Sequence, residues 1–217
     1  VQDNIQKLER FGYEMIAPDR GMLANGDDGD GRMPEPEVLF EYILRELAFE
    51  KDLAGKKVLV TAGATMEAID PVRYITNHSS GKMGCAVAKA AMQRGAKVTL
   101  VAGHMEVLPP MFVDVVNVKS AADMFEAVTK LAPEQDIIVK AAAVADYTPV
   151  AVADNKIKKS DDDMKIELKR TKDILGYLGQ HKRDGQVICG FSMETQDVIK
   201  NLSLIHISEP TRLRRIS

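Results

Sequence analysis

The stretch TNHSSGKMG, Thr76 to Gly84, sets Asn77, His78, Ser79, Ser80 and Lys82 beside two glycines where a helix begins. A helix start leaves backbone N–H groups without partners and carries the positive end of the helix dipole. Gly81 to Gly84, with Ser80 adding a hydroxyl and Lys82 a charge, therefore read as an anion site able to hold a phosphate. A plain capped helix, with Ser79 or Ser80 as N-cap, is the simpler reading of the same residues taken alone. The Gly-Lys pair is no Walker A loop: Met83 stands where Ser or Thr would meet magnesium, and no glycine lies five residues before Gly81. Nor is there a Rossmann glycine fingerprint, since the first strand is followed by GATMEA.

A second cluster is DNKIKKS, with Lys156, Lys158 and Lys159 ahead of the acidic run Asp161, Asp162 and Asp163. A basic loop can close over a polyphosphate and add charge where a transition state builds it. Exposed lysines on a solvated loop need no such role, and the aspartates read most simply as solvated. Other chemistries fit less well. GDDGDGRMPEP lacks the alternate oxygen ligands and twelfth-position glutamate of a calcium loop. The four histidines are scattered, so no metal-ligating residues are assigned. Tyr147 is followed four residues on by Ala151, so the Tyr/Lys pair of short-chain oxidoreductases is missing.

The elements that must position these clusters alternate. VLVTAG, KVTLVAG, DIIVKAAAVA and QVICGFS read as strands; KMGCAVAKAAMQRG (closed by Gly95), SAADMFEAVTKLA and KDILGYLGQHK read as helices. The alternation predicts an α/β fold, a Rossmann-like doubly wound parallel sheet. In such sheets ligands bind beyond the carboxyl ends of the strands, where TAGATME, AVADYTP and GFSMET fall. Upstream, residues 3–11 read as a helix, YEMIAP as a short strand, GMLANGDDGDGRMPEPE as a loop and PEVLFEYILRELAF as a second helix. KDLAGKK reads as a linker.

The bulk numbers exclude several classes. A net charge of −3 predicts no nucleic-acid partner. No apolar run reaches the roughly 18 residues of a membrane span, so no membrane partner is expected. Cys85 and Cys189 are far apart and in apolar company, which argues for a reducing, cytoplasmic setting. The first residue is Val, which reads as the start of a fragment.

Together, TAGATMEAIDPVRYITNHSSGKMG, AAAVADYTP, NKIKK and GFSMET resemble, in order and spacing, one family: the bifunctional phosphopantothenoylcysteine decarboxylase and phosphopantothenate–cysteine ligase of bacterial coenzyme A synthesis. The resemblance divides the chain into a remnant of a flavodoxin-like flavoprotein (decarboxylase) domain at 1–50, a linker at 51–56 and a truncated ligase domain at 57–201. It implies that the carboxylate of 4'-phosphopantothenate attacks the α-phosphate of CTP, and that cysteine then displaces CMP from the acyl-cytidylate. Asn77, with Arg73 beside it, is implied as the contact to that intermediate. Asp146 and Lys156 are implied as cytidine-nucleotide residues, with Lys156 on a flap, and Lys172, Asp173, Ile174, Leu175 and Phe191 as further nucleotide contacts. The donors at Asn77–Lys82 would then hold phosphate and the acyl intermediate, while the glycines let backbone approach them. Mg2+ should accompany the triphosphate. The resemblance also implies a homodimer, and FMN only in the upstream part of the parent protein.

The sequence departs from the family in three places. The decarboxylase active-site cysteine falls at Asn25, which has no thiol; most of the flavin domain lies before Val1, so residues 1–50 are expected to be poorly anchored alone. The pattern stops near Asn201, and residues 202–217 resemble a translated sequencing adapter, so no site residue is drawn from them. Two other readings remain: an NAD(P)-dependent oxidoreductase on a similar fold, and a non-catalytic nucleotide-binding or dimerisation module.

Overall fold

A computed structural model describes residues 1–159 and 163–192. The chain divides into two units, Val1–Ala48 and a larger one from Phe49 onward. In the first, helix α1 (Gln2–Arg10) is followed by strands β1 (Asp19–Met22) and β2 (Asp28–Arg32), paired antiparallel, and by helix α2 (Pro36–Leu47). Neither helix buries a residue, and Phe11, Met22 and Leu47 lie exposed. The strand expected at YEMIAP is absent; the pairing lies in the stretch read as a loop. Asp and Gly have weak strand propensity, which hid DGDGR. Turn chemistry makes the hairpin instead: Gly26 takes a left-handed φ of 87°, and Leu23 N–H donates to Asp27 O at 2.8 Å.

The second unit continues with β3 (Lys57–Ala62), β4 (Met66–Ala68), β5 (Tyr74–Thr76), α3 (Lys82–Gln93), β6 (Lys97–Ala102), β7 (Asp114–Asn117), α4 (Ala121–Leu131), β8 (Ile137–Lys140), β9 (Tyr147–Pro149), β10 (Leu168–Arg170), α5 (Ile174–Gln180) and β11 (Val187–Gly190). Five strands form a parallel sheet in the order β11-β8-β3-β6-β7. The chain therefore builds outward from β3 to β7, then returns to the other side of β3. Pleating sends Val58, Val60 and Ala62 to one face, against Ala88 and Met92 of α3, and Leu59 to the other, against Met124 and Val128 of α4 and Leu178 of α5. Each fully buried large side chain, such as Leu59, Leu100, Met124 and Ile138, contributes about 1.5–3 kcal/mol. This is the doubly wound α/β architecture expected. Three further features were not foreseen: the short strand β7, the β4–β5 hairpin and the β9–β10 pair.

Residues 51–56 are tied to the end of α3: Leu53 N–H donates to Arg94 O, Lys51 Nζ to Gln93 O, and Arg94 pairs with Asp52. Gly95 follows at a φ of 89°, closing α3 as expected. No helix among the described residues is long and apolar enough to cross a membrane. Asp161, Asp162 and the adapter-like residues 202–217 lie outside the described residues.

Candidate functional site at the reversal of strand order

The strand order reverses between β3 and β8, and both strands run into polar loops there. Beyond β3, Gly63 adopts a φ of 79°, and a Cβ on it would meet His104 O at 2.4 Å. That close passage lets Ala64 exchange hydrogen bonds with His104 (2.9 and 2.8 Å) on the β6 side. On the β8 side Ala143 N–H donates to Gly63 O at 2.8 Å, and Thr65 N–H to Ala143 O at 3.2 Å. Two buried hydroxyls then shape the loop after β8. Thr61 Oγ1 accepts from Ala141 and Ala142 N–H (3.2 and 3.1 Å), and Thr65 Oγ1 accepts from Ala145 N–H at 2.9 Å. Asp146 emerges exposed immediately after. Thr171 fastens the start of α5 to it, donating from N–H to Asp146 O (2.9 Å) and from Oγ1 to Ala145 O (2.7 Å).

The β4–β5 hairpin carries the chain from Thr65 to Asn77, and Thr76 Oγ1 donates to Thr65 O at 2.7 Å. Asn77 is exposed, with Nδ2 3.4 Å from Ala143 O, so it stands against the loop that leads to Asp146. The expected serine cap on α3 is replaced by Gly81, the N-cap, at a φ of 78°. Met105 Cγ lies 2.7 Å from where a Cβ on Gly81 would be, so the left-handed turn fits only glycine. With entry through that turn, neither serine caps the helix by its side chain; Ser80 Oγ lies 3.5 Å from Lys82 N, at the outer limit of a hydrogen bond. Gly84 also has a packing reason: a Cβ there would meet Ala62 Cβ at 2.5 Å. Both glycines thus serve to bring α3 onto β3 and its neighbouring loop. The N–H groups of the first turn have no partner within the helix, and Lys82 is exposed beside them.

The lysine segment is tied to the same hairpin. Asp70 has a fully buried side chain; its Oδ1 accepts from Val72 and Arg73 N–H, both at 2.8 Å. Its Oδ2 accepts from Arg73 Nε (2.9 Å), Arg73 Nη2 (2.5 Å) and Ile157 N–H (3.1 Å). Arg73 Nη2 also donates to Ile157 O at 2.9 Å. The Arg73 guanidinium, together with these backbone N–H groups, holds the Asp70 carboxyl well below the usual carboxylate range. Arg73 is therefore engaged in structure, with Nη1 accepted by no described residue. Lys156 and Lys158, flanking Ile157, are exposed.

Of the remaining expected residues, Lys172 is exposed, with Nζ 4.8 Å from the centre of the Phe125 ring. Asp173 caps α5, accepting from Gly176 N–H at 3.0 Å. Ile174 is core, only 1% exposed and clustered with Leu59, Met124 and Leu178. Leu175 packs near Gly190, and Phe191 is exposed beyond β11, its N–H donating to Lys140 O at 3.0 Å. Asn25, in the other unit, has a turn role: Nδ2 donates to Asp27 Oδ2 (2.8 Å) and Oδ1 accepts from Asp27 N–H (3.2 Å). Among the described residues no three His, Cys, Asp or Glu side chains gather where a metal could sit. Sequence reasoning missed Asp70, Thr61, Thr65 and Thr171. Only Asp70 carried a signal, since an Asp-Pro step starts a side-chain-bonded turn.

Comparison with known proteins agrees with this architecture. The coenzyme A biosynthesis bifunctional protein CoaBC of Bacillus subtilis (strain 168) is 47% identical, over 94% of this chain and 53% of its own length. A cysteine/cysteine sulfinic acid decarboxylase from an unknown prokaryotic organism is 44% identical, over 94% of this chain and 58% of its own. The chain thus spans little more than half the length of these curated relatives. A crystal structure of the C-terminal domain of a CoaBC protein superposes with a TM-score of 0.63 at 46% identity, covering 72% of this chain and 74% of that one. Residues 53–204 match the family described as the DNA/pantothenate metabolism flavoprotein C-terminal domain, and the chain belongs to that family.

Proposed function

We propose that the unit from Phe49 onward performs the ligation step of coenzyme A biosynthesis, joining 4'-phosphopantothenate to cysteine at the expense of CTP. A carboxylate is a poor acyl donor, so it must first be activated. Its oxygen attacks the α-phosphorus of CTP, the bond to the β-phosphate breaks, and pyrophosphate leaves with the electron pair. The cysteine amine then attacks the acyl carbonyl of the cytidylate, CMP leaves, and the amine proton is lost to solvent.

The observation that carries this reading is that three polar segments are each tied to the β4–β5 hairpin or to the loop after β8, which leave the sheet where the strand order reverses. Asn77 stands against Ala143, three residues before Asp146, and Arg73, which leads into β5, holds the residue next to Lys156. In open α/β sheets this is the crevice where nucleotides bind. Within it Asn77 donates to the acyl phosphate, and Asp146 accepts from hydroxyl or amine groups of the nucleotide. Lys156, with Lys172 and the first turn of α3 at Ser80–Lys82, faces the phosphates; Asp173, Leu175 and Phe191 border the nucleotide. Magnesium, where bound, supplies charge neutralisation of the triphosphate. By the same reading the chain is a homodimer, which the exposed apolar side chains Val72, Tyr74, Tyr147, Val152 and Leu168 favour. On this reading FMN and decarboxylation belong to the part of the longer relatives that this chain does not span, and the amide at Asn25 has no acid proton to give a carbon.

The test is pyrophosphate release from CTP that requires 4'-phosphopantothenate. It is run on this chain and on a version in which residues 202–217 are replaced by the corresponding segment of the Bacillus subtilis relative. Release in the replaced version, followed by amide formation on adding cysteine, is expected. CTP binding with no turnover there would leave a non-catalytic module, and NADPH binding without CTP binding would return the oxidoreductase reading.

A further inference from the structure

We propose that Asp70 is a positioning residue for Lys156, acting through a two-point clasp on Ile157 that it makes together with Arg73. What Lys156 does rests on the ligase reading above; the clasp stands on its own geometry.

Ile157 is held by both of its backbone polar groups. Its N–H donates to Asp70 Oδ2 at 3.1 Å and its C=O accepts from Arg73 Nη2 at 2.9 Å. A single peptide residue fixed at both groups has little freedom to rotate. Its side chain is turned inward as well, lining a groove with Ile69, Val152, Met164 and Ile166, while Lys156 and Lys158 on either side are exposed. A second tie lies close by, from Ala153 N–H to Ile69 O at 3.0 Å. The segment therefore lies against the β4–β5 hairpin with its lysines directed outward.

Asp70 is the centre of this arrangement. One of its oxygens is fixed by the backbone of its own turn, through Val72 and Arg73 N–H. The other gathers the Arg73 guanidinium and Ile157 N–H at a single point. Remove that oxygen's charge and the guanidinium is no longer aimed at Ile157 O. The side chain is fully buried, so Asp70 itself cannot touch a ligand. Its influence must pass through the segment it holds. Arg73 shares the role, since the two nitrogens that face Asp70 are committed to it. Neither exposed lysines nor a buried aspartate would suggest such coupling alone.

Asp70→Asn keeps the size and loses the charge. Amide exchange in the 217-residue chain should rise about tenfold or more at Ile157, with Val58–Val60 of β3 unchanged. In the version active for pyrophosphate release, the same variant should slow release about tenfold, because small misplacements of a positioned group carry costs of this order. The double variant Asp70→Asn, Lys156→Gln should be no slower than Lys156→Gln alone. Unchanged exchange at Ile157 overturns the clasp, and additive losses in the double variant overturn the route through Lys156. Should Asp70→Asn loosen β3 as well, Arg73→Lys, which keeps the charge but not the fork, should free Ile157 alone; global loosening there too overturns the proposal. If the unaltered protein releases no pyrophosphate, it is the ligase reading that fails, and the exchange measurement still decides the clasp.

Discussion

Thr65→Val tests whether the loop bearing Asp146 is shaped by buried hydroxyls. Thr65 is fully buried, and its Oγ1 accepts from Ala145 N–H, itself only 6% exposed. Valine keeps the shape and puts a methyl where the acceptor was. An unsatisfied buried N–H costs about 1–3 kcal/mol, and the added methyl returns up to ~0.8 kcal/mol by apolar burial. The difference is a loss of about 0.2–3 kcal/mol, and its middle, about 1–2 kcal/mol, lowers Tm by roughly 2–8 °C at this chain length. Thr171→Val removes the opposite kind of group. Its Oγ1 donates to Ala145 O from a half-buried position, and a buried carbonyl left without its partner is tolerated somewhat better than a buried N–H, so about 0.5–1.5 kcal/mol is expected. Urea unfolding of both variants measures the difference, with equal m-values as the check on a common unfolded state. CTP affinity should weaken in Thr65→Val beyond any effect of stability, because the displaced amide lies one residue before Asp146. A Thr65→Val protein as stable as the parent, or more so, would refute the account. So would a larger loss in Thr171→Val.

Other perturbations read other parts of the structure. Gly84→Ala should destabilise by about 1–3 kcal/mol through overpacking against Ala62 and Thr61, reversing the gain of up to ~1 kcal/mol that alanine gives an open helix; thermal unfolding decides the sign. Ser120→Ala removes the capping box that Ser120 and Asp123 form on α4, and should cost about 1 kcal/mol in urea unfolding. Backbone N–H groups of Ser120 and Lys57 hold the Asp123 and Asp136 carboxyls below their ordinary value, as the Arg73 guanidinium holds Asp70. Their stabilisation is complete above the unfolded carboxylate pKa of about 3.9 and is lost as pH falls toward the lower folded values. The urea midpoint should therefore fall below about pH 4, and less steeply in Asp70→Asn. Lys156→Gln should slow CTP-dependent pyrophosphate release about 100-fold if its charge meets the transition state.

The architecture was legible because the strands and helices that make it are long or strongly patterned. VLVTAG alternates between two buried faces, and its neighbours repeat that grammar, so the sheet and the rim where its loops gather could be placed before any coordinates. Elements shaped by turns were not legible. DGDGR reads as loop by propensity, yet Asn25 and Gly26 turn it into a hairpin. The TNHSSGKMG junction was legible as a helix start but not in its reason: Gly81 and Gly84 answer to Met105 and Ala62, residues distant in sequence, and a contact of that kind leaves no local pattern. Thr61, Thr65 and Thr171 were invisible for a related reason. A strand threonine looks like an ordinary β-former until the amide that its hydroxyl accepts is known.

These missed residues explain how loops can present groups with accuracy. The three segments at the reversal of strand order are short or irregular, and each would have freedom if held only at its ends. Instead each is fixed one or two residues from the group it presents: Asp146 by Thr65 and Thr171 at Ala145, Lys156 by Asp70 and Arg73 at Ile157, and Asn77 by Thr76 at Thr65. In every case the fastener is a side chain anchored in β3, in its hairpin or at the start of α5, and the fastened group is backbone. On the proposed reading, the side chains that present chemistry stay exposed, while their backbone is oriented by neighbours such as Thr65 and Asp70 that are themselves buried. Function and stability should then separate along this line. Changing Lys156 or Asp146 should leave unfolding nearly untouched, whereas changing Thr65 should alter unfolding and nucleotide affinity together. A Thr65→Val protein that lost stability but bound CTP with unchanged affinity would break the connection between the fastener and the site.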